Sequence, residues 1–285
     1  MEPQSTFNQQ SGSSSFGRLG VALFVVKIGG NIIDNAKALD NFIEQFAAIK
    51  EPKILVHGGG KLATEMAASL NIPQQMVEGR RITDEPTLKV VTMVYAGFIN
   101  KNIVAKLQAK DCNAIGLTGT DANIILAKKR AIKDIDFGFA GDVVNVNNDF
   151  IKVLLENNCT PVISPITHNG NGQLLNTNAD TIAKEIAKAM SEHYKVQLIY
   201  CFDKKGVLEN ISDENSVIKL ITKENFDTLK KDSIVHAGMI PKIENALNAI
   251  EAGVQSVCIG HGLELTEMTK GEAGTIINKI LNTDL

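Results

Sequence analysis

The sequence predicts an α/β protein with an open, mainly parallel central sheet and helices on both faces, a three-layer αβα arrangement. Two observations support this prediction. Short runs of apolar residues alternate with amphipathic helical segments along most of the chain. Within each run the apolar residues are largely continuous, as expected for strands that are buried on both faces of a parallel sheet.

The strands are predicted from these apolar runs, at 23–28 (LFVVKI), 53–58, 114–119, 160–166, 196–202 and 256–260. The stretch HNGNGQLL at 168–175 adds a β-hairpin, because Asn-Gly is the strongest short-range signal for a tight hairpin turn. We therefore expect some antiparallel strands near the middle of the chain.

Helices are predicted between the strands, at 61–70, 86–109, 149–157, 179–192 and 241–252. Pro86 and Pro241 mark first helical turns, and Gly253 ends the last helix. The helix at 179–192 has a single apolar stripe, which consists of Ile182, Ala183, Ile186, Ala187 and Met190. Such a stripe packs against a sheet.

The chain organisation follows from composition. Residues 1–20 are rich in Ser, Gln and Gly and have neither a helical stripe nor the apolar core of a signal peptide, so we predict a disordered tail. A helix ends and a strand begins near 190–195. We therefore predict an N-terminal lobe at 21–192 and a C-terminal lobe at 193–285 that share one sheet.

Composition also limits the classes of molecule that the protein is expected to bind. The net charge is -3, which argues against nucleic acid or an anionic membrane as the main partner, and no apolar run is long enough for a membrane span. The four cysteines are scattered singly, which favours a reducing cytoplasm over a disulfide framework or a zinc site. No metal site made of protein ligands is expected.

Two glycine-rich turns follow predicted strands and suggest an anion site. Lys27 interrupts a buried strand just before Gly29 and Gly30, and His57-Gly-Gly-Gly60 lies between a strand and a helix. Bare backbone at a helix N-terminus can direct N–H groups at an anion. A lysine that snorkels to the surface and ordinary tight turns would explain the same residues without a ligand.

Two further charged residues could serve the same site. Lys242 falls in the first turn of a helix, where the dipole disfavours a cation unless an anion binds nearby; an exposed, solvated lysine is the simpler interpretation. Asp180 follows Asn176 and Asn178 at the start of the helix at 179–192, where such residues usually cap. A carboxylate there could also hold both lysines by charge-assisted hydrogen bonds.

Three more candidate residues are less specific. Arg81, expected in a loop between helices, could clamp a carboxylate. Asp203 and Gly206 follow a strand and could form a nucleotide-binding turn or a plain surface turn. The sequence has neither a GxxxxGK[ST] loop nor a GxGxxG turn after a strand.

Taken together and in order, these segments resemble the amino-acid kinase family and, within it, the acylglutamate kinases. The resemblance runs from about residue 22 to the C-terminus. It rests on seven motifs: VVKIGGN (25–31), ILVHGGG (54–60), GRRITDEPT (79–87), MVYAGFINKNIVAKL (93–107), GFAGDVVNVN (138–147), QLLNTNADTIA (173–183) and AGMIPKI (237–243). The sequence departs from the family pattern at Ala237, at Asp121-Ala122, and at Phe202 and Lys204.

The resemblance implies an enzyme that transfers the γ-phosphoryl group of ATP to the side-chain carboxylate of an N-acylated glutamate, in arginine biosynthesis. This carboxylate is ionised at neutral pH, so the reaction needs no general base but does need charge neutralisation between two anions. The acyl group stays open between acetyl and succinyl. Two different functions also stay open: a sister kinase that acts on aspartate or carbamate, and a non-catalytic regulator with the same fold.

The resemblance also implies roles for individual residues. Lys27, Lys242, Asp180 and Gly30 match catalytic positions, and Gly29 and Gly30 match glycines that face the transferred phosphoryl group. Gly59, Gly60, Arg81 and Asn176 match positions that hold the acylglutamate. ATP, with Mg²⁺ bound mainly through its phosphates, is expected on the C-terminal lobe near Asp203 and Gly206. The first twenty residues lack the amphipathic helix of arginine-inhibited hexameric relatives, so we expect a homodimer that arginine does not inhibit.

Overall fold

The computed structural model describes residues 20–77, 79–232, 234–235 and 239–279. The strands are β1 (Ala22–Ile28), β2 (Lys53–His57), β3 (Gln75–Val77), β4 (Arg80–Ile82), β5 (Ala114–Leu117), β6 (Ile125–Lys129), β7 (Ala140–Val146), β8 (Thr160–Ile163), β9 (Ile166–His168), β10 (Leu174–Thr177), β11 (Lys195–Phe202), β12 (Leu220–Ile221), β13 (Ser256–His261) and β14 (Thr275–Ile277).

The helices are α1 (Gly30–Ile33), α2 (Ala36–Ala48), α3 (Gly60–Ser69), α4 (Glu85–Thr92), α5 (Asn100–Gln108), α6 (Asn148–Glu156), α7 (Ala179–Met190), α8 (Lys223–Lys231), α9 (Ile240–Glu251) and α10 (Leu265–Lys270). A π-helical segment, Met93–Ile99, joins α4 to α5, and short 3₁₀ turns occur at Asp121–Asn123 and Gly262–Glu264.

Eight strands form the main sheet, in the order β12-β14-β13-β11-β1-β2-β8-β5. All neighbouring pairs are parallel except β13 and β14, which are antiparallel. Strands from the first part of the chain make one half of the sheet, and strands after residue 192 make the other half. β1 lies at the junction, where Lys27 pairs with Val56 of β2 and Tyr200 of β11.

Both faces of the main sheet are covered. Leu23 and Val25 pack with α7 and α9 residues in one apolar cluster, whereas Phe24 and Val26 pack with α2 and α5 residues in a second cluster on the opposite face. The alternation follows from the two-residue period of a strand. The predicted three-layer α/β fold is therefore confirmed.

A second, four-stranded sheet lies beside the first and closes on itself in the order β10-β7-β6-β9. The predicted hairpin is confirmed, because β9 and β10 pair antiparallel around 168–174. The predicted strand at 160–166 is wrong in one respect, since it divides into β8 and β9, which belong to different sheets. Pro165 lies at the division; it has no N–H for a ladder hydrogen bond, so it ends the strand pairing there.

Two further predictions need correction. The helix predicted at 86–109 is interrupted by the π-helical segment, which turns Tyr95 and Ile99 toward the turn at Gly59. Arg81 lies in a two-stranded hairpin, β3–β4, not in a loop between helices. Helices α2 and α8 were not predicted, although α2 buries four side chains: Leu39, Phe42, Ile43 and Phe46.

Nearly all of the predicted tail, residues 1–19, lies outside the described residues, as do Ala237 and Gly238 of the AGMIPKI motif. The division into lobes at residue 192 stays a prediction. Among the described residues, no helix combines the length and apolar character that a membrane span requires.

Candidate active site

The site lies at the carboxyl ends of β1, β2 and β11, where ligands bind in open parallel sheets. β1 leads directly into Gly29 and α1, and β2 leads through Gly58 and Gly59 into α3. α7 begins at the same edge, immediately after β10. The sequence order strand, glycine turn, helix thus brings three chain segments to one place.

Lys27 is buried near the end of β1, with 8% of its surface exposed. Its Nζ lies 2.6 Å from Asp180 Oδ1, so the two residues form a direct ion pair. Asp180 occupies the first turn of α7, where the helix dipole favours a carboxylate. The neighbouring Asn178 is the cap, because its Oδ1 accepts a hydrogen bond from Thr181 N–H at 3.1 Å. Asp180 is therefore left to hold the lysine, and Lys27 does not snorkel to the surface.

Lys242 reaches the same place from the first turn of α9. Its Nζ lies 3.7 Å from the centroid of the Phe202 ring, and Lys27 Nζ lies 5.5 Å from that centroid. Burial lowers the pKa of Lys242, and the nearby charge of Lys27 lowers it further, whereas Asp180 and Asp203 oppose the shift. The simpler interpretation of Lys242 as an exposed, solvated lysine is thus wrong. Two amines from distant parts of the sequence converge beside one carboxylate.

The glycines form the floor of the site. A Cβ on Gly29 would lie 3.5 Å from Lys27 Nζ, so the bare backbone lies directly beside the ammonium group. Gly59 has φ of 143°, a conformation that favours glycine, and a Cβ there would collide with Ile99 Cδ1. Because Gly59 is also the N-cap of α3, this glycine turn directs the helix N-terminus at the site.

Arg81 and Asn176 lie on the other side of the glycines. Arg81 is buried, and its Nη2 donates hydrogen bonds to Gly60 O at 2.7 Å and Thr64 Oγ1 at 2.9 Å, while Nη1 donates to Gln74. Three of its N–H groups therefore brace the protein, and a further side-chain hydrogen bond joins Arg81 to Tyr95. Asn176 donates its Nδ2 hydrogen bond to Thr83 Oγ1 at 3.0 Å, which leaves its carbonyl oxygen available.

These residues line two adjoining cavities. The first, of about 230 Å³, is lined by Lys27, the glycines at 29–30 and 58–60, Tyr95, Arg81 and Asn176. The second, of about 290 Å³, is lined by Lys242, Phe202, Tyr200 and Lys184. Four residues line both cavities: Arg80, Arg130, Asn178 and Asp180. The Lys27–Asp180 ion pair therefore stands where two ligands could meet.

Two predicted site residues lie outside both cavities. Gly206 is buried, and a Cβ there would lie 2.7 Å from Thr275 Oγ1 and Val217 Cγ1, so packing alone requires a glycine. Asp203 is exposed in the turn after β11, close enough to Lys242 to raise its pKa. Their roles in nucleotide binding stay predictions.

His57 supports the glycine turn from beneath. It is fully buried; its Nδ1 lies 2.8 Å from Gly58 O and its Nε2 lies 3.1 Å from Asn100 Nδ2. An N–H on Nδ1 and a bare Nε2 satisfy both contacts, so the ring is neutral in this tautomer. Burial lowers the pKa of His57 to about 4, which keeps it uncharged at neutral pH.

Several site residues were not assigned from the sequence. Arg80 and Tyr95 lie within the family motifs, and Phe202 stands out in the sequence only as a departure from the family pattern. Arg130 gives no local signal at all; its Nε and Nη2 donate to Asp142 Oδ1 at 3.0 and 2.6 Å, which fixes the guanidinium at the cavity wall. Only the closed four-stranded sheet brings Arg130 to this place.

The arrangement suits chemistry between anions. It offers two amines, a glycine-lined helix N-terminus and three arginines around adjoining cavities. No described group of three or more His, Cys, Asp or Glu side chains could by itself hold a metal ion. Lysines and arginines supply the positive charge of the protein around these cavities.

Comparison with known proteins agrees with this geometry. The sequence profile of the amino acid kinase family matches residues 22–261. An acetylglutamate kinase from Cytophaga hutchinsonii is 56% identical over 247 residues, which are 86% of this chain and 94% of that protein. One from Phocaeicola vulgatus is 51% identical over 257 residues, which are 90% and 98% of the two chains. A crystal structure from Streptococcus mutans, 27% identical, superposes with a TM-score of 0.72 over 90% of this chain and 99% of that chain.

Proposed function

The chain belongs to the amino acid kinase family, and we propose that it is an acetylglutamate kinase. It transfers the γ-phosphoryl group of ATP to the γ-carboxylate of N-acetyl-L-glutamate, which gives N-acetyl-L-glutamyl 5-phosphate in arginine biosynthesis. One observation supports this proposal above the others: Lys27 and Lys242 converge beside Asp180 where two cavities adjoin.

We propose that the acylglutamate occupies the first cavity. Its α-carboxylate would pair with the Arg81 guanidinium group, and its amide would meet the free carbonyl oxygen of Asn176. The γ-carboxylate would then point toward Gly29, Gly30 and Lys27. This residue assignment is supported by the shared lining of the cavity and by the matching family positions.

ATP would enter from the second cavity, on the C-terminal lobe, with its γ-phosphoryl group between the two lysines. A γ-carboxylate oxygen forms the new bond to phosphorus, the bond from phosphorus to the β–γ bridging oxygen breaks, and ADP leaves. No proton moves, because the acceptor is already ionised. Lys27 and Lys242 neutralise the charge that accumulates on the phosphoryl oxygens, and Asp180 fixes the position of Lys27.

We propose that a Mg²⁺ ion arrives on the nucleotide and is held mainly by its phosphates. Asp180 already holds Lys27 and Asp203 lies outside both cavities, so the protein would add at most a carboxylate oxygen to phosphate and water ligands. When bound, the ion would neutralise phosphate charge. Aligning the donor and acceptor remains the task of the two lysines and the glycine turns.

The experiment is phosphoryl transfer from ATP to N-acetylglutamate, with hydroxylamine trapping of the acyl phosphate. We expect hydroxamate from the wild-type enzyme and a loss of roughly 100-fold or more in K27M and K242M. K89M is the matched control, because Lys89 is an exposed lysine on α4 that lines neither cavity. Folded wild-type enzyme that makes no hydroxamate from N-acetylglutamate would refute the proposal. If it then binds nucleotide without any transfer, a regulator is favoured; if it makes hydroxamate from aspartate, a sister kinase is favoured.

One observation favours N-succinylglutamate as a second candidate acceptor. Its acyl arm ends in an extra carboxylate, and Arg80 and Arg130 line the first cavity in addition to Arg81. Because Arg130 is paired with Asp142, Arg80 is the better ligand for that carboxylate. Substitution R80L should lower kcat/KM for the succinyl acceptor more than for the acetyl acceptor. An unchanged ratio between the two acceptors would remove this candidate.

We propose a cytoplasmic homodimer. Phe98 and Met93 expose 65% and 58% of their surfaces on the π-helical segment, and Ile115 is exposed on the edge strand β5. Exposed apolar side chains of this size are typical of a surface between subunits. Light scattering should give a dimer mass for the wild type and a monomer mass for F98E; a wild-type monomer would contradict the proposed dimer.

The proposed location in the cytoplasm is supported by the cysteines. All four are unpaired, as in a reducing compartment.

A further inference from the structure

Phe202 lines the second cavity, but neither the family motifs nor the proposed reaction explains why an aromatic residue stands there. It is the last residue of β11 and stacks on Tyr200, with ring centroids 6.2 Å apart. The Nζ of Lys242 lies 3.7 Å from its centroid, which is close contact for an ammonium group over an aromatic face, and Lys27 Nζ lies within the range of the same attraction.

We propose that Phe202 is a positioning residue that holds the Lys242 ammonium group at the site of phosphoryl transfer through its aromatic face. The inference deepens the proposed function and rests on it, because the group being positioned is the second catalytic lysine.

The charges around Lys242 explain why such a residue is needed. The charged and titratable groups that face it are Asp180 from α7, Lys27 from β1 and Asp203 from the turn after β11, and the second cavity adds Lys184, Tyr200, Arg80 and Arg130. Asp180 is already paired with Lys27, and within the described residues no ion pair of Lys242 is found. Lys184 and Arg130 are likewise paired, with Glu185 and Asp142, so these neighbouring charges already have partners and Lys242 has none among the described residues, although burial tends to neutralise its amine.

A phenyl ring meets this requirement in a way that a carboxylate cannot. Its negative face attracts the ammonium group without forming a full ion pair, so the N–H donors of Lys242 that point away from the ring can turn to phosphate oxygens. A carboxylate in the same place would compete with the phosphate for the lysine. The ring also carries no proton that could titrate, and its stacking on Tyr200 limits its movement.

The test compares F202L, which keeps apolar bulk but removes the π face, with F202Y, which keeps the ring. We expect F202L to lower kcat about 3- to 30-fold with little change in the KM for the acceptor, and F202Y to retain most of the activity. In F202L the alkaline limb of the kcat–pH profile should move to lower pH, since the charged form of Lys242 loses stabilisation. F139L is the matched control, because Phe139 lies under Lys129, which lines neither cavity.

Two measurements keep the inference separate from folding and from the proposed function. Fluorinated phenylalanines at position 202 keep the ring shape but weaken its negative face, so kcat should fall stepwise with fluorine number. NMR titration of the Lys242 amine should show a lower pKa in F202L, whether or not the enzyme phosphorylates acylglutamate. If pentafluorophenylalanine enzyme matches the wild type, or Lys242 titrates alike in F202L and wild type, the inference is overturned; absence of hydroxamate from wild type refutes the proposed function instead.

Discussion

Asp180→Asn separates the two tasks of the Lys27–Asp180 ion pair, which are to compensate a buried charge and to hold a catalytic amine. The substitution keeps the size and the position of the side chain in the first turn of α7, but it removes the negative charge 2.6 Å from Lys27 Nζ. Lys27, with a side chain only 10% exposed, then has no compensating charge at that distance. We expect D180N to lose both stability and activity.

The magnitude follows from the geometry. At 2.6 Å and an effective dielectric constant of about 20, the gross attraction between the two charges is about 6 kcal/mol. Removing one partner of a fully buried pair costs about 3–5 kcal/mol, because the other charge stays buried. Since the Asp180 side chain is 37% exposed, water can replace part of the lost interaction, and we expect a net loss of about 1–3 kcal/mol in the free energy of unfolding.

The assays are urea unfolding, which measures the stability loss, and hydroxamate formation, which measures kcat. K27M and the double variant K27M/D180N complete the cycle. Because K27M removes the buried cation, the D180N substitution should cost much less stability in that background. Activity should fall roughly 100-fold or more in all three variants. If D180N unfolds at the same urea concentration as the wild type, or costs the same stability with Met at position 27, the ion-pair reasoning is refuted.

Three further predictions concern the surrounding residues. Because the pKa of Lys242 is lowered and its charged form is the one required, kcat should decline as pH rises through a value below 10.5; a profile flat up to pH 10.5 would contradict this. Gly59→Ala should destabilise the protein by about 1–3 kcal/mol and raise the acceptor KM, because Gly59 has φ of 143° and an added Cβ would collide with Ile99. Gly97→Ala should do neither, because no atom lies within 4 Å of the position of its added Cβ. Burial lowers the pKa of His57 to about 4, against 6.5 in the unfolded chain, so between these values only the unfolded state binds a proton on this ring. The free energy of unfolding should therefore fall as the pH drops from about 6.5 to 4, by up to about 3 kcal/mol. Urea midpoints of wild type and His57→Gln across this range test it, and parallel pH dependences would show that another group is responsible.

Much of the fold could be predicted from the sequence because its signals are local. Continuous apolar runs identify the buried strands, Pro241 and Gly253 bound α9 to within one or two residues, and Asn-Gly identifies the β9–β10 hairpin. The two lysines, Asp180 and the glycine turns were also named, because a cation inside a buried strand and glycines between strand and helix are unusual wherever they occur. The π-helical segment was missed because it follows from contacts between distant segments, whereas the split between β8 and β9 was missed although Pro165 is a local signal for it.

The sequence by itself determined which residue types stand at the ends of the strands, because burial, turn formation and helix capping act over a few neighbouring residues. Only the tertiary structure decided which of them meet. Parallel pairing of β1 with β11 places Lys27 and Phe202 in neighbouring strands, α9 brings Lys242 over the same ring, and the closed four-stranded sheet carries Arg130 to the cavity wall. Strand order in a parallel sheet is set by long crossover connections and the packing of both faces, and such contacts leave no local pattern in the residues that they join.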